Sequence, residues 1–275
     1  MRQFYIFLDI DGTLFSPAIG RIPESAEAAL KQARKNGSKI FLCTGRALAG
    51  CSKYLQMDVD GFVFAAGAMV YADHQRIFDH PLNKEEELMI KQLIHEEGMG
   101  YSAEGQAGGY CDAFAYDVLM RYFGGIDTEA DIQRKRVSDN CFYPEYYEDP
   151  DEKIYKVCAY TRHGGSFSGL REKLPAGFQL TVTVRDPQFD DCAEVTNSQI
   201  TKATGIERIL RHYGADREQA VGIGDSENDI PMIRFCGTGI AMGNAMQAVK
   251  DQADLVTTGI LEDGIAHAFE TIGVI

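Results

Sequence analysis

Two aspartates close the first apolar run of the chain. Phe4 to Leu8 has the length of a buried strand, and it ends in Asp9-Ile10-Asp11-Gly12-Thr13. A continuous apolar run stopped by a turn signal reads as a strand of a parallel sheet. Residues two apart on a strand point the same way, so both carboxylates share one space. They repel unless a cation or a proton stands between them. An aspartate can attack phosphorus and form an aspartyl-phosphate. A second carboxylate can give a proton to the departing alkoxide and later take one from water. Asp9 and Asp11 suit these two tasks, although Asp-Gly alone is also ordinary turn chemistry.

Three further stretches have the same grammar. Lys39 to Cys43 closes on Thr44-Gly45-Arg46, a helix starts at Lys202, and Gln219 to Gly224 closes on Asp225-Ser226-Glu227-Asn228-Asp229. If the sheet is doubly wound, these ends meet in one crevice at its carboxyl edge. Asp9, Asp11, Asp225 and Asp229 then face Lys202 and Arg46. So many carboxylates in one space call for a hard cation, and an all-oxygen donor set without histidine or cysteine points to magnesium. The Thr44 hydroxyl, the Gly45 amide and the Lys202 ammonium are suitable holders for a phosphate. Each motif alone has a plainer reading: a turn, a solvated lysine, a helix N-cap. The four together, in this order and at strand ends, favour a site.

The elements that must position these residues follow from periodicity. A helix over 23–36 starts at Pro23 and stops at Gly37, with Ala26, Ala29, Leu30 and Ala33 as its apolar stripe. A second helix is expected from Arg46 to about Leu55. Gly61 to Ala65 is a third strand, with Ala68 to Ala72 paired beyond the Gly67 turn. Strands alternating with helices indicate an α/β fold, a doubly wound parallel sheet of Rossmann-like type. Between 82 and 192 the pattern changes to mixed strands and helices rich in glycine and tyrosine, which reads as an inserted α+β domain. The core is then 1–81 with 193–275. From Thr201 the first pattern returns, with a helix over Lys202 to Tyr213 and short strands at 219–224, 239–242 and 255–256.

At these residues the chain resembles the haloacid dehalogenase (HAD) superfamily. Asp9-Ile10-Asp11-Gly12-Thr13 matches its DxDGT signature. Thr44-Gly45-Arg46, Lys202 and Gly224-Asp225-Ser226-Glu227-Asn228-Asp229 are similar to its second, third and fourth motifs. Met242-Gly243-Asn244-Ala245 and Glu262-Asp263-Gly264 resemble the tail of its Cof-type phosphatases, and the insertion resembles their C2B cap. The resemblance implies magnesium-dependent hydrolysis of small phosphomonoesters, sugar phosphates or similar metabolites. Asp9 would be the nucleophile. Asp11 would be the general acid/base, giving the metal its backbone carbonyl, and Asp225 would complete the metal ligands. Thr44 and Lys202 would hold the phosphate. Asn228 would bind phosphate or a metal-bound water, Asp229 would orient Lys202 or such a water, and Arg46 would contact substrate or phosphate. The cap would select the leaving group, with Tyr101, Tyr110, Tyr116, Tyr122, Arg121 and His163 as candidates. Two positions depart from the pattern: Ala66 stands where relatives often have Asn, and Ala203 follows Lys202 where glycine is usual. A phosphosugar mutase and a catalytically silent metabolite-binding protein are the alternatives.

The totals narrow the partners. A formal net charge of -14, from 41 acidic and 27 basic residues, argues against nucleic acid and anionic membranes. No apolar run approaches the ~20 residues of a membrane helix, and the N-terminus lacks the pattern of a signal peptide. Seven scattered cysteines without a CxxC fit reduced thiols, so a cytoplasmic enzyme is expected.

Overall fold

The computed structural model describes residues 3–122, 142–184 and 191–275. They form two compact units, Met1–Gly45 with Asp58–Asp79 and Ile200–Ile275, and Arg46–Met57 with His80–Gln199.

The first unit is built on an eight-stranded sheet. Its strands are β1 (Tyr5–Leu8), β2 (Lys39–Cys43), β3 (Gly61–Phe64), β4 (Met69–Ala72), β5 (Gln75–Asp79), β12 (Ala220–Gly224), β13 (Thr238–Ala241) and β14 (Leu255–Val256), in the order β14-β13-β12-β1-β2-β3-β4-β5. From β14 to β3 all neighbours are parallel, while β4 and β5 add antiparallel edge strands. The chain moves outward from β1 through β2 to β3, then restarts on the other side at β12. The reversal between β1 and β12 is the topological switch point, where open α/β sheets bind ligands. The central strands are apolar on both faces because helices cover both. Phe7, Phe41, Ile40 and Ile223 are fully buried, each worth roughly 1.5–3 kcal/mol of burial. This is the doubly wound fold expected from the sequence.

The helices Glu24–Lys35 and Lys202–Tyr213 form where periodicity places them. The latter carries a capping box at Thr201 and a left-handed Gly214 at its C-cap. The helix expected from Arg46 to Leu55 is instead two single 3₁₀ turns, Leu48–Cys51 and Tyr54–Gln56. Gly50 and Ser52 are poor helix formers, and burial of Cys51 and Tyr54, three apart, favours the tighter turn. The edge strand β5 was not anticipated. Its residues are half-buried or exposed and carry no apolar run.

The second unit holds a six-stranded, mainly antiparallel sheet. Its strands are β6 (Gly100–Gly105), β7 (Gly109–Cys111), β8 (Phe142–Pro144), β9 (Ile154–Thr161), β10 (Phe178–Val184) and β11 (Asp191–Asn197), ordered β10-β11-β9-β6-β7-β8. The helices Lys84–Glu96 and Ser168–Lys173 supply Ile90, Ile94 and Leu170 to its main core. The sequence border at 192 falls inside β11, and the unit runs on to Gln199. Tyr101 and Tyr110 are buried in this core. The side chains of Arg121 and Tyr122 lie outside the described residues.

The turn after β3 carries backbone strain. Ala65 and Ala66 have φ of 46° and 52°, and Gly67 has 114°. A Cβ on Gly67 would strike the Thr201 carbonyl, so the turn can lie against the start of the Lys202 helix only with glycine there. Ala66 donates its amide to the Thr44 carbonyl at 2.9 Å. Left-handed alanine costs about 1–2 kcal/mol, and glycine gives back roughly 0.4–1 kcal/mol through the unfolded chain. Ala66→Gly is therefore expected to raise stability by about 0.5 kcal/mol in urea denaturation. A destabilised variant would contradict this.

Candidate active site

Asp9 is the first residue past β1, and Asp225 is the first past β12. The two strands are hydrogen-bonded neighbours, and the Asp9 amide still donates to the Ile223 carbonyl at 3.0 Å. The sheet therefore sets these carboxylates side by side at the switch point. Lys202, the first residue of its helix, is fully buried and reaches between two of the acids. Its Nζ donates to Asp9 Oδ1 at 2.5 Å and to Asp229 Oδ1 at 2.5 Å. Carboxylate oxygens of Asp9, Asp225 and Asp229 all lie within 4.8 Å of one another.

The single-turn segment Glu227–Asp229 holds Asp229 in place. Asp229 Oδ2 accepts from the amides of Asp225 and Ser226, both at 3.0 Å, and from Ser226 Oγ at 3.2 Å. Asp229 is thus saturated by donors and fixes Lys202. Asp225 is held from a distance of 212 residues by the Thr13 hydroxyl, which donates to its Oδ1 at 2.9 Å. Its Oδ2 sits against Gly12, whose φ of 87° and lack of a Cβ permit that approach. Asn228 accepts from Ser226 Oγ at 2.9 Å.

Three acids against one ammonium leave the cluster with excess negative charge. Burial first, then Asp229 and Asp225, push the Asp9 carboxyl well above its ordinary range, against the pull of Lys202. Burial and Asp229 raise Asp225 from 3.8 to about 6. Burial works to lower Lys202, but Asp229 and Asp9 override it and hold the ammonium above its ordinary range. These residues fit a hard divalent cation. The donors are all oxygen, and positive charge would relieve the acids. Asp9 and Asp225 have the less committed carboxylates, since both Asp229 oxygens are engaged.

Of the other expected residues, Thr44 is buried directly after β2 and Gly45 follows it, both in the same unit as the acids. Asp11 is half-buried in the turn after β1. Arg46 falls in the second unit and donates to the Gly50 carbonyl at 3.1 Å. Thr13 and Ser226 were not singled out from the sequence, although both lie within motifs. A hydroxyl directly after Asp-Gly or Gly-Asp was their only signal.

The haloacid dehalogenase-like hydrolase family matches this chain over residues 6–269. The chain belongs to that family. This hydrolase is 42% identical over 281 residues to the 5-amino-6-(5-phospho-D-ribitylamino)uracil phosphatase YitU of Bacillus subtilis (strain 168), covering 97% of this chain and 96% of that protein. It is 27% identical to a putative bifunctional phosphatase/peptidyl-prolyl cis-trans isomerase of Streptococcus pyogenes serotype M6, of which it spans 54%. Among solved structures, the HAD subclass IIB sugar phosphatase BT4131 matches with a TM-score of 0.80 and 27% identity over 100% of both chains. The hydrolase is an enzyme of the phosphomonoester class. Among its described residues no helix is long and apolar enough to cross a membrane.

Proposed function

We propose that this hydrolase removes phosphate from small phosphomonoesters with magnesium, through an aspartyl-phosphate on Asp9. The observation that carries the reading is the buried set Asp9–Lys202–Asp229 beside Asp225, at the switch between β1 and β12. The Asp9 carboxylate attacks phosphorus, and the bond to the ester oxygen breaks with its electron pair leaving on that oxygen. Asp11 gives the departing alkoxide its proton. Water then attacks the phosphorus of the aspartyl-phosphate, Asp11 takes its proton, and Asp9 leaves as carboxylate with release of inorganic phosphate. Lys202 offsets charge on Asp9 and on the phosphoryl oxygens, and Asp229 keeps Lys202 aimed. Thr44 and the Gly45 amide hold the phosphate, with Asn228 as a further contact. Asp9, Asp225 and the Asp11 carbonyl would hold magnesium, which supplies charge neutralisation between nucleophile and phosphate.

The second unit acts as the substrate-selecting cap. The 42% identity to YitU makes 5-amino-6-(5-phospho-D-ribitylamino)uracil the leading substrate, ahead of plain sugar phosphates. Reduced thiols at the six described cysteines and the acidic charge support a cytoplasmic enzyme without a nucleic-acid partner. The direct test is phosphate release from p-nitrophenyl phosphate and from the ribitylaminouracil phosphate, with magnesium or with EDTA. Turnover of both with magnesium and none in EDTA is expected. Full turnover in EDTA would overturn the metal dependence.

The acid cluster also predicts how magnesium stabilises the fold. The Asp225 pKa is higher folded than unfolded, so its contribution is fully present below pH ~4 and is lost as pH rises through about 6. Above that range Asp225 is ionised beside Asp9 and Asp229, and a cation takes the place of its proton. At a hundredfold excess over Kd the gain is about 2.7 kcal/mol, on the order of 5 °C in Tm for a chain of this size. The magnesium shift should be full at pH ~7.5 and mostly gone by pH ~4.5. A shift independent of pH in thermal melts would refute the linkage.

A further inference from the structure

The turn that carries Asp11 is held by a residue far along the chain. Asn244 Nδ2 donates to the Gly12 carbonyl at 2.8 Å, and Asn244 Oδ1 accepts from the Ile260 amide at 2.9 Å. Only one orientation of the amide satisfies both partners, so the side chain is fixed although exposed. Its own loop is anchored: the Gly243 amide donates to the Thr258 carbonyl at 2.9 Å, Lys250 Nζ donates to the Gly243 carbonyl at 2.6 Å, and the Met246 amide donates to the Asp225 carbonyl at 3.1 Å. The Gly12 amide donates to the Phe15 carbonyl at 3.0 Å. The Gly12–Thr13 peptide, one residue beyond Asp11, is therefore gripped by an outside donor, and the Asp11–Gly12 peptide by the Phe15 carbonyl. Gly12 has φ of 87° and no side chain to stiffen it.

We propose that Asn244 is a positioning residue for Asp11, fixing the turn so that the Asp11 carboxyl meets the leaving oxygen. This rests on the proposed role of Asp11 as general acid. When Asp9 attacks, the phosphorus–oxygen bond breaks and the electron pair goes to the leaving oxygen, which takes the Asp11 proton. An alkoxide is strongly basic and needs that proton as the bond breaks. A p-nitrophenolate spreads its charge into the ring and leaves without it. Loss of Asn244 should therefore slow alkyl esters and spare the aryl ester. Loss of a merely structural contact, or of phosphate or metal positioning, would slow both alike.

The test compares kcat/KM for glucose 6-phosphate and p-nitrophenyl phosphate in wild type, Asn244→Ala, Asn244→Asp and Asp11→Asn. Asn244→Asp keeps an acceptor for the Ile260 amide and loses the donor to Gly12. Its added charge bears on both substrates and cancels in the ratio, as does any unfolded fraction. Both Asn244 variants should lower the alkyl-to-aryl ratio roughly tenfold, part of the ~10²–10⁴-fold a positioned acid supplies. Asp11→Asn should lower it further. An unchanged ratio in the Asn244 variants, with a lowered ratio in Asp11→Asn, overturns the positioning role. An unchanged ratio in Asp11→Asn overturns the general-acid reading itself.

Discussion

Asp9→Asn should abolish turnover while leaving the fold at least as stable as before. The amide has the shape of the carboxylate but no nucleophilic oxygen, so no aspartyl-phosphate forms. The expected loss in kcat is about 10⁴-fold or more, the scale on which removal of a covalent nucleophile is felt. Stability should move the other way. Asp9 is buried among like charges, and burial, Asp229 and Asp225 all oppose its ionisation. Neutralising it removes that repulsion, and Lys202 keeps its bond to Asp229. Tm without metal should therefore hold or rise, and the magnesium-induced rise in Tm should shrink, because one ligand has gone. Phosphate release and thermal melts of one preparation check all three statements. Residual activity above about 1% of wild type in a folded variant would exclude Asp9 as the nucleophile.

Much of this site was legible in the sequence, because its parts sit at the ends of apolar runs. The run to Leu8 places Asp9, the run to Cys43 places Thr44, and the run to Gly224 places Asp225. Parallel order then brings those ends to one edge. Helix periodicity placed Lys202 at the start of its helix. What stayed hidden was joined across the chain. Thr13 and Asp225 are 212 residues apart, and Asn244 and Gly12 are 232 apart; no local pattern encodes either bond. β11, with polar Asp191, Glu194 and Asn197 among small residues, lacks an apolar run, so the far border of the insertion was set too early. The turns after Arg46 misled for the opposite reason. Alanine and leucine there suggest a helix, while Gly50 and the burial of Cys51 and Tyr54 decide for single turns.

Lys202→Met should damage both stability and activity, and the manner of the damage tests the electrostatics. Lys202 and Asp229 are fully buried and Asp9 nearly so, and the lysine is the cation shared by both acids. Methionine fills the space but leaves two carboxylates facing each other, beside Asp225. Removing one partner of a buried ion pair costs about 3–5 kcal/mol, because the remaining charge is stranded. The stranded acids will take up protons, so the variant should recover stability as pH falls from ~7.5 toward ~5, a range over which wild type gains less. Magnesium should raise the Tm of the variant more than that of wild type, since it supplies the missing positive charge. The double variant Lys202→Met/Asp229→Asn should be more stable than the single one, because the second change removes a stranded charge. Its activity should stay lost, because nothing then offsets charge on Asp9 or the phosphate. Urea denaturation across pH, with a double-mutant cycle, reads the coupling directly. A single variant within about 1 kcal/mol of wild type at neutral pH would mean that Lys202 is not the counter-charge of the cluster. A double variant no more stable than the single one would place the damage in packing rather than in charge.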